Sequence, residues 1–380
     1  EFASLPILLG LALVWLFFQL ANPNFLTPLN LTNLVLQIAA VGTIAIGLVL
    51  VLLLGEIDLS VGAVSGLAAA VMAVLNVRYG VPGILAVLAG LGAGLLIGLL
   101  HGTWITKLRI PSFIVTLAGL LGWQGVLLYV LGNTGTVNLR DPFILGLTGT
   151  FLKRDLPNGE WLSWGLAAGF ALLFGAGQLW ERRQRLAAGL ADRPRSVIVG
   201  QILLVGAGLL GATAILNADR GLPSALIFFV GLAAVFDLVV RRTTFGRHIL
   251  VVGGNLEVAR RANLDVDAVR ITVFGLASML AAFGGILAAS RLLAVHQSSG
   301  SGDVLLNAIA AAVIGGTSVF GGRGGVWSAV LGALVIGSIA NGMVLLAAPP
   351  PAQLMATGAA LLTAVTVDAV ARRRREAAGT

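Results

Sequence analysis

Residues 34–77 read LVLQIAAVGTIAIGLVLVLLLGEIDLSVGAVSGLAAAVMAVLNV. Two apolar runs, 34–54 and 59–77, flank Glu56-Ile57-Asp58-Leu59-Ser60 with almost no loop between them. Each run is close to the roughly 20 residues that cross a hydrocarbon core as a helix. Backbone polar groups in hydrocarbon must be satisfied within the segment, so these runs are helices and not open strands. Neither shows the alternation of a barrel strand.

Outward from this pair the pattern repeats. Apolar runs also fall at about 5–21, 82–105, 112–132, 161–180, 196–216, 222–240, 270–293, 305–320, 326–347 and 352–371. The expectation is an all-α polytopic integral membrane protein with about 10–12 transmembrane helices. A single transmembrane domain over 1–380 is expected. The run 305–320 is short and, like the break at Glu56–Ser60, is a candidate for re-entry. Composition agrees. Hydrophobic types make up 58% of the 380 residues and charged types 11%. A soluble domain is about a quarter charged, so 11% leaves too few charges to clothe a soluble surface of this size. The run Leu5–Leu20 lacks a basic segment before it and a cleavage-type site after it, and reads as a retained span.

The net charge of +8 does not indicate nucleic acid, because the arginines lie in short runs beside apolar segments. Lys107 and Arg109, Arg182 to Arg195, Arg241 to Arg261 and Arg372 to Arg375 lie in alternate inter-span segments. Placing them in the cytoplasm gives an N-in, C-in chain. Asp237 precedes Arg241 by four residues and Asp368 precedes Arg372 by four, a spacing that suits helix-end ion pairs. With no cysteine and three scattered histidines, no metal site is expected. There is no phosphate loop, nucleophile elbow or zinc-protease motif. The chain is therefore not expected to be an enzyme or to carry a cofactor.

Small residues at Gly90, Gly94 and Gly98, and at Gly284 and Ala288, suit close helix packing. His101 reads as a packing histidine. Two readings stand for Glu56–Ser60. Asp58 or Ser60 caps the following helix, which leaves Glu56 unexplained, or a broken helix presents polar groups to a solute pathway. Two also stand for 241–270, RRTTFGRHILVVGGNLEVARRANLDVDAVR. Asn255 caps a short helix through Leu256–Ala262 that docks a cytosolic partner, or the segment is a solvated loop.

Three motifs together resemble one family. GEIDLSVGAVSG (55–66), TTFGRHILVVGGNLEVARRANL (243–264) and NAIAAAVIGGTSVFGGRGGVWSAVLGALVIGSIANGMVLL (307–346) are similar, in order and spacing, to segments of bacterial sugar ABC-importer permeases. Glu56, LRIPSFIVTL (108–117) and the extra apolar pair at 161–216 look most like the D-xylose permeases.

The resemblance implies the membrane subunit of an importer in the bacterial cytoplasmic membrane. Its implied partners are a second copy of itself, a cytosolic ATPase that binds ATP and magnesium, and an extracytoplasmic sugar-binding protein. The implied cargo is a monosaccharide. By position, the resemblance makes Gly253, Gly254, Asn255, Glu257, Ala259 and Arg260 the ATPase-coupling residues. It departs at Ala262-Asn263-Leu264, where Asn replaces a Gly and is expected to form a left-handed turn less readily. Gln37, Glu56, Asp58, Ser60, Thr317, Ser318 and Asn341 are candidate contacts along a pathway for an uncharged sugar. The competing functions are an ion- or proton-coupled carrier using Glu56 and Asp58, an ABC permease for another solute such as ribose, a signalling furanose or a branched-chain amino acid, and a membrane scaffold.

Overall fold

The computed structural model describes residues 5–132, 135–189 and 194–377. In chain order the elements are α1 (Leu5–Ala21), α2 (Pro28–Leu53), α3 (Val61–Val77), α4 (Gly83–Lys107), α5 (Ser112–Leu131), β1 (Thr136–Asn138), α6 (Pro142–Gly149), α7 (Leu152–Asp155), α8 (Gly159–Ala187), α9 (Arg195–Ala218), α10 (Ser224–Arg242), α11 (Thr244–Gly254), α12 (Leu256–Arg261), α13 (Val266–Leu292), β2 (Ala294–His296), α14 (Gly302–Ile314), α15 (Val326–Leu345) and α16 (Pro350–Ala377). Each of the twelve apolar runs contains a helix. Among the described residues, eight helices are long and apolar enough to cross a membrane, and α1, α3 and α14 are shorter apolar helices. The chain is a multi-pass, all-α membrane protein.

Helix α14 has 13 residues. At 1.5 Å per residue it covers about 20 Å, short of the roughly 30 Å hydrocarbon core. It does not cross alone, and the run 305–320 stops being helical at Ile314. Prolines mark several starts: Pro82, Pro111 and Pro194 precede α4, α5 and α9, where a missing N–H costs nothing.

The chain divides into two compact units. The larger comprises residues 1–26, 34–149 and 225–380. Its centre is the packing of α13 against α4 and α3. A methyl group on Gly94 would lie 2.7 Å from Ser278 O, on Gly98 2.2 Å from Phe274 O, and on Gly102 2.6 Å from Ile271 Cα. Glycine at one-turn intervals therefore lets the two backbones touch. Elsewhere Gly284 sits against Ala40, Trp15 Nε1 donates to Ser338 Oγ at 2.9 Å between α1 and α15, and the Thr148 and Ser290 hydroxyls meet at 2.7 Å. The β1–β2 pair is a short antiparallel ribbon with Val137 opposite Val295.

The smaller unit comprises residues 27–33 and 150–224. Helices α8 and α9 form a hairpin packed on itself. Only 17% and 11% of their most apolar stretches are buried within the protein, the condition of helices bathed in lipid. Main-chain bonds close the hairpin base: Leu152 N to Leu222 O at 2.9 Å and Ser224 N to Thr150 O at 2.9 Å. There the Phe151 ring lies between Arg154 and Arg220, 4.8 and 4.4 Å from its centroid.

A broken helix and a glycine junction as the candidate functional site

Helix α2 stops because its last turn closes in a left-handed residue. Gly55 has φ 74°. Gly55 N bonds Leu52 O at 2.8 Å and Glu56 N bonds Val51 O at 3.2 Å, the paired bonds of a Schellman stop. Residues 56–60 then have no regular secondary structure before α3 begins.

The capping expectation for Ser60 is corrected here. Ser60 is the N-cap residue of α3, but its hydroxyl makes no cap bond. It donates instead to Asp58 Oδ1 at 2.6 Å, and Asp58 Oδ1 also accepts Ser60 N at 2.8 Å. Asp58 and Ser60 are 1% and 0% exposed. Ser60 Oγ also lies 3.4 Å from His101 Nδ1 on α4, so His101 is a hydrogen-bonded buried group.

Glu56 is paired. Its Oε1 lies 2.7 Å from Arg270 Nη2 on α13. Helix α5 holds the main chain of the break, with Ser112 Oγ accepting from Ile57 N at 3.4 Å and Thr116 Oγ1 donating to Ile57 O at 3.3 Å. Sequence reasoning missed Arg270, Ser112 and Thr116. The α5 contacts had a signal: the polar or small residues Ser112, Thr116 and Gly119 lie on one helical face.

The three motifs meet beside this break. Gly322 N donates to Leu53 O at 2.9 Å. A methyl group on Gly253 would lie 1.8 Å from Leu53 O, one on Gly321 2.6 Å from Gly253 O and 2.9 Å from Gly55 Cα, and one on Gly322 2.8 Å from Gly254 Cα. The ends of α2 and α11 and the loop after α14 are thus joined main chain to main chain.

Beyond the junction is α12. Asn255 caps it through Oδ1, accepting Glu257 N at 3.0 Å and Val258 N at 3.1 Å. Ala259 is its buried residue, while Glu257 and Arg260 face outward with Val258 and Arg261. Glu257 pairs with Arg261 at 2.7 Å. Asn263 takes the left-handed turn at φ 55°. With Asn263 N on Arg260 O at 3.0 Å and Leu264 N on Ala259 O at 3.1 Å, α12 ends in a second Schellman stop. The substitution of Asn for Gly therefore leaves the turn formed, because Asn is among the few side chains that enter this region.

The remaining candidates are dispersed. Thr317 is bonded to the Ser328 hydroxyl, and Ser318 Oγ accepts Phe320 N at 3.2 Å within its own turn. Asn341 is buried on α15, and Gln37 is half-buried on α2. The helix-end pair Asp237–Arg241 forms at 2.8 Å, whereas the side chains of Asp368 and Arg372 lie outside the described residues. Among the described residues no group of three metal-ligating side chains is gathered.

The family described as "branched-chain amino acid transport system / permease component" matches residues 30–365. The chain belongs to that family: it is a permease component, not an enzyme. More particularly, it groups with sugar permeases of the xylose and ribose type. It is 36% identical to the xylose transport system permease protein XylH of Escherichia coli, over 96% of this chain and 91% of that one. To the ribose import permease protein RbsC of Bacillus subtilis it is 32% identical, over 95% and 91%. To the L-arabinose ABC transporter permease protein AraH of Azospirillum brasilense it is 30% identical, over 94% and 85%. No solved structure matches the chain.

Proposed function

We propose that this chain is the membrane-spanning subunit of an ABC importer for a monosaccharide, D-xylose in particular. In this reading it sits in the bacterial cytoplasmic membrane with both termini inside and works as a homodimer. It receives sugar from an extracytoplasmic binding protein. A partner ATPase, which holds ATP and magnesium, docks on α12 and drives alternating access. The observation that carries the reading is the glycine junction. It ties Gly253 and Gly254, at the root of α12, to Leu53 and Gly55 at the helix break, with no side chain between. Asn255 and Ala259 then fix α12 to the body, and Glu257 and Arg260 are the groups presented to the ATPase.

The sugar path runs past the break in this reading. Asp58 and Ser60, with Gln37, Thr317, Ser318 and Asn341, are its polar lining. A gradient-driven carrier using Glu56 fits less well, because the carboxylate is held by Arg270. The xylose assignment is supported by the identity to xylose permeases in two genera, 36% and 34%.

The test is reconstitution with the ATPase and binding protein encoded beside it. ATP-dependent xylose uptake into vesicles, absent without either partner, is the expected result. Uptake by the lone chain down an ion gradient would overturn the ABC reading, and preference for ribose or arabinose would overturn the sugar.

A further inference from the structure

Helix α5 also reaches His101. Trp123 Nε1 lies 2.9 Å from His101 Nε2, on the opposite side of the ring from Ser60. The closeness is built in. A methyl group on Gly119, one turn before Trp123, would lie 2.7 Å from the His101 ring. His101 is fully buried.

The direction of these bonds follows from what each group can do. An indole N–H only donates. His101 Nε2 must therefore present its lone pair, and the neutral ring carries its proton on Nδ1. That proton faces Ser60 Oγ, 3.4 Å away. Ser60 gives its own hydrogen to Asp58 Oδ1 at 2.6 Å. All three bonds run one way, from Trp123 through His101 and Ser60 to Asp58. A second proton on the ring would go to Nε2 and oppose two N–H groups at 2.9 Å.

We propose that Trp123 locks His101 as the neutral Nδ1–H tautomer, and that these two residues position the break between α2 and α3 by holding Asp58 through Ser60. The lock exists only while α5 lies against α4. A conformation in which α5 separates withdraws the indole and lets the imidazole accept a proton from solvent.

Other charged groups on the elements around α4 are engaged elsewhere or lie at element ends and in loops. Glu56 is paired with Arg270, and Asp267 on α13 with Lys107 at 2.9 Å. Asp141, before α6, accepts Gly83 N at 3.1 Å. Arg78, after α3, donates to Val130 O at 3.3 Å. Arg109 follows α4, Arg140 precedes Asp141, and Arg291 lies at the far end of α13. Tyr129 on α5 is exposed. Asp58 is the ionisable group linked to the ring, through the Ser60 hydroxyl.

The chain has three histidines, so nitrogen NMR of the protein labelled at histidine reads the ring directly, with His101→Asn assigning the signal. The expected wild-type spectrum shows a proton on Nδ1 and none on Nε2, unchanged between about pH 8 and pH 5, the range in which a free imidazole titrates. In Trp123→Phe the same ring should titrate. A protonated Nε2 in the wild type, or the same titration with and without Trp123, overturns the proposal. If Trp123→Phe does not fold, the wild-type spectrum decides alone. Uptake supplies a second arm, which rests on the transport reading as the NMR arm does not. Relative to its own rate at about pH 8, Trp123→Phe should lose uptake roughly ten-fold by about pH 5. Trp123→Phe with His101→Gln should lose that acid sensitivity, since an amide does not titrate. Acid sensitivity that persists in the double variant counts against His101.

Discussion

The carboxylate of Glu56 and the guanidinium of Arg270 stand 2.7 Å apart, with side chains only 14% and 20% exposed. They tie the break after α2 to the second turn of α13. Removing one partner of such a pair strands the other charge, which costs about 3 kcal/mol where burial is nearly complete. Glu56→Leu and Arg270→Met should each lower the thermal midpoint sharply. The double variant should recover most of the loss, since an apolar replacement of both partners is often neutral. Midpoints of the three variants in one detergent check this; additive losses would mean the two groups do not act as a pair.

Glu257→Arg should leave folding and insertion intact. The Glu257–Arg261 pair has side chains 75% and 78% exposed, and such pairs contribute about 0.3–0.5 kcal/mol. Uptake and stimulation of the partner ATPase should both be lost, because the reversed charge lies on the outward face of α12. Unchanged transport in vesicles would remove Glu257 from the docking surface.

Gly253→Ala places a methyl 1.8 Å from Leu53 O. The neighbour is main chain and has no rotamer to yield, so the cost should reach or pass the 1–3 kcal/mol, roughly, of core overpacking. Gly92→Ala, where a methyl meets nothing within 4 Å, is the matched control. Equal midpoints for the two would contradict the close approach at the junction.

Asn263 separates the α12 stop from side-chain chemistry. At φ 55°, Asn263→Gly should be neutral or slightly stabilising, whereas Asn263→Val should lose about 1–2 kcal/mol by forcing a branched side chain into the left-handed region. Thermal midpoints distinguish them.

The base of the α8–α9 hairpin should loosen in acid. The Arg154 guanidinium, and after it the Phe151 N–H, hold the Asp155 carboxyl below the usual carboxylate range. A group whose folded value is depressed stabilises the fold above its ordinary value, and that contribution fades as pH falls towards the depressed one. Amide exchange over 150–160 should therefore speed up below about pH 4 relative to α4, and Asp155→Asn should remove the dependence.

The membrane helices were legible because hydrocarbon imposes a uniform demand: the run 5–21 became α1 (Leu5–Ala21) residue for residue. The short capped helix after Asn255 was legible for a local reason, the side chain that accepts two N–H groups. Helix α11 was hidden in what read as an extramembranous segment. Its buried positions Gly246, Ile249 and Val252 form a stripe too brief to register as a span. The partner of Glu56 was illegible because Arg270 lies far along the chain, and nothing in composition says which of many arginines folds back. Ser60 misled for the same reason. A hydroxyl before a helix suggests a cap, and only the distant His101 and the neighbouring Asp58 reveal its other use.

The glycine junction also has a mechanical meaning. A joint built of side chains has slack, since rotamers can turn and absorb a displacement of an ångström. Where Gly253, Gly321 and Leu53 abut, there is nothing to turn, and only covalent geometry and a hydrogen bond set the compliance. Such a joint is stiff, and a push at one side arrives at the other with its amplitude kept.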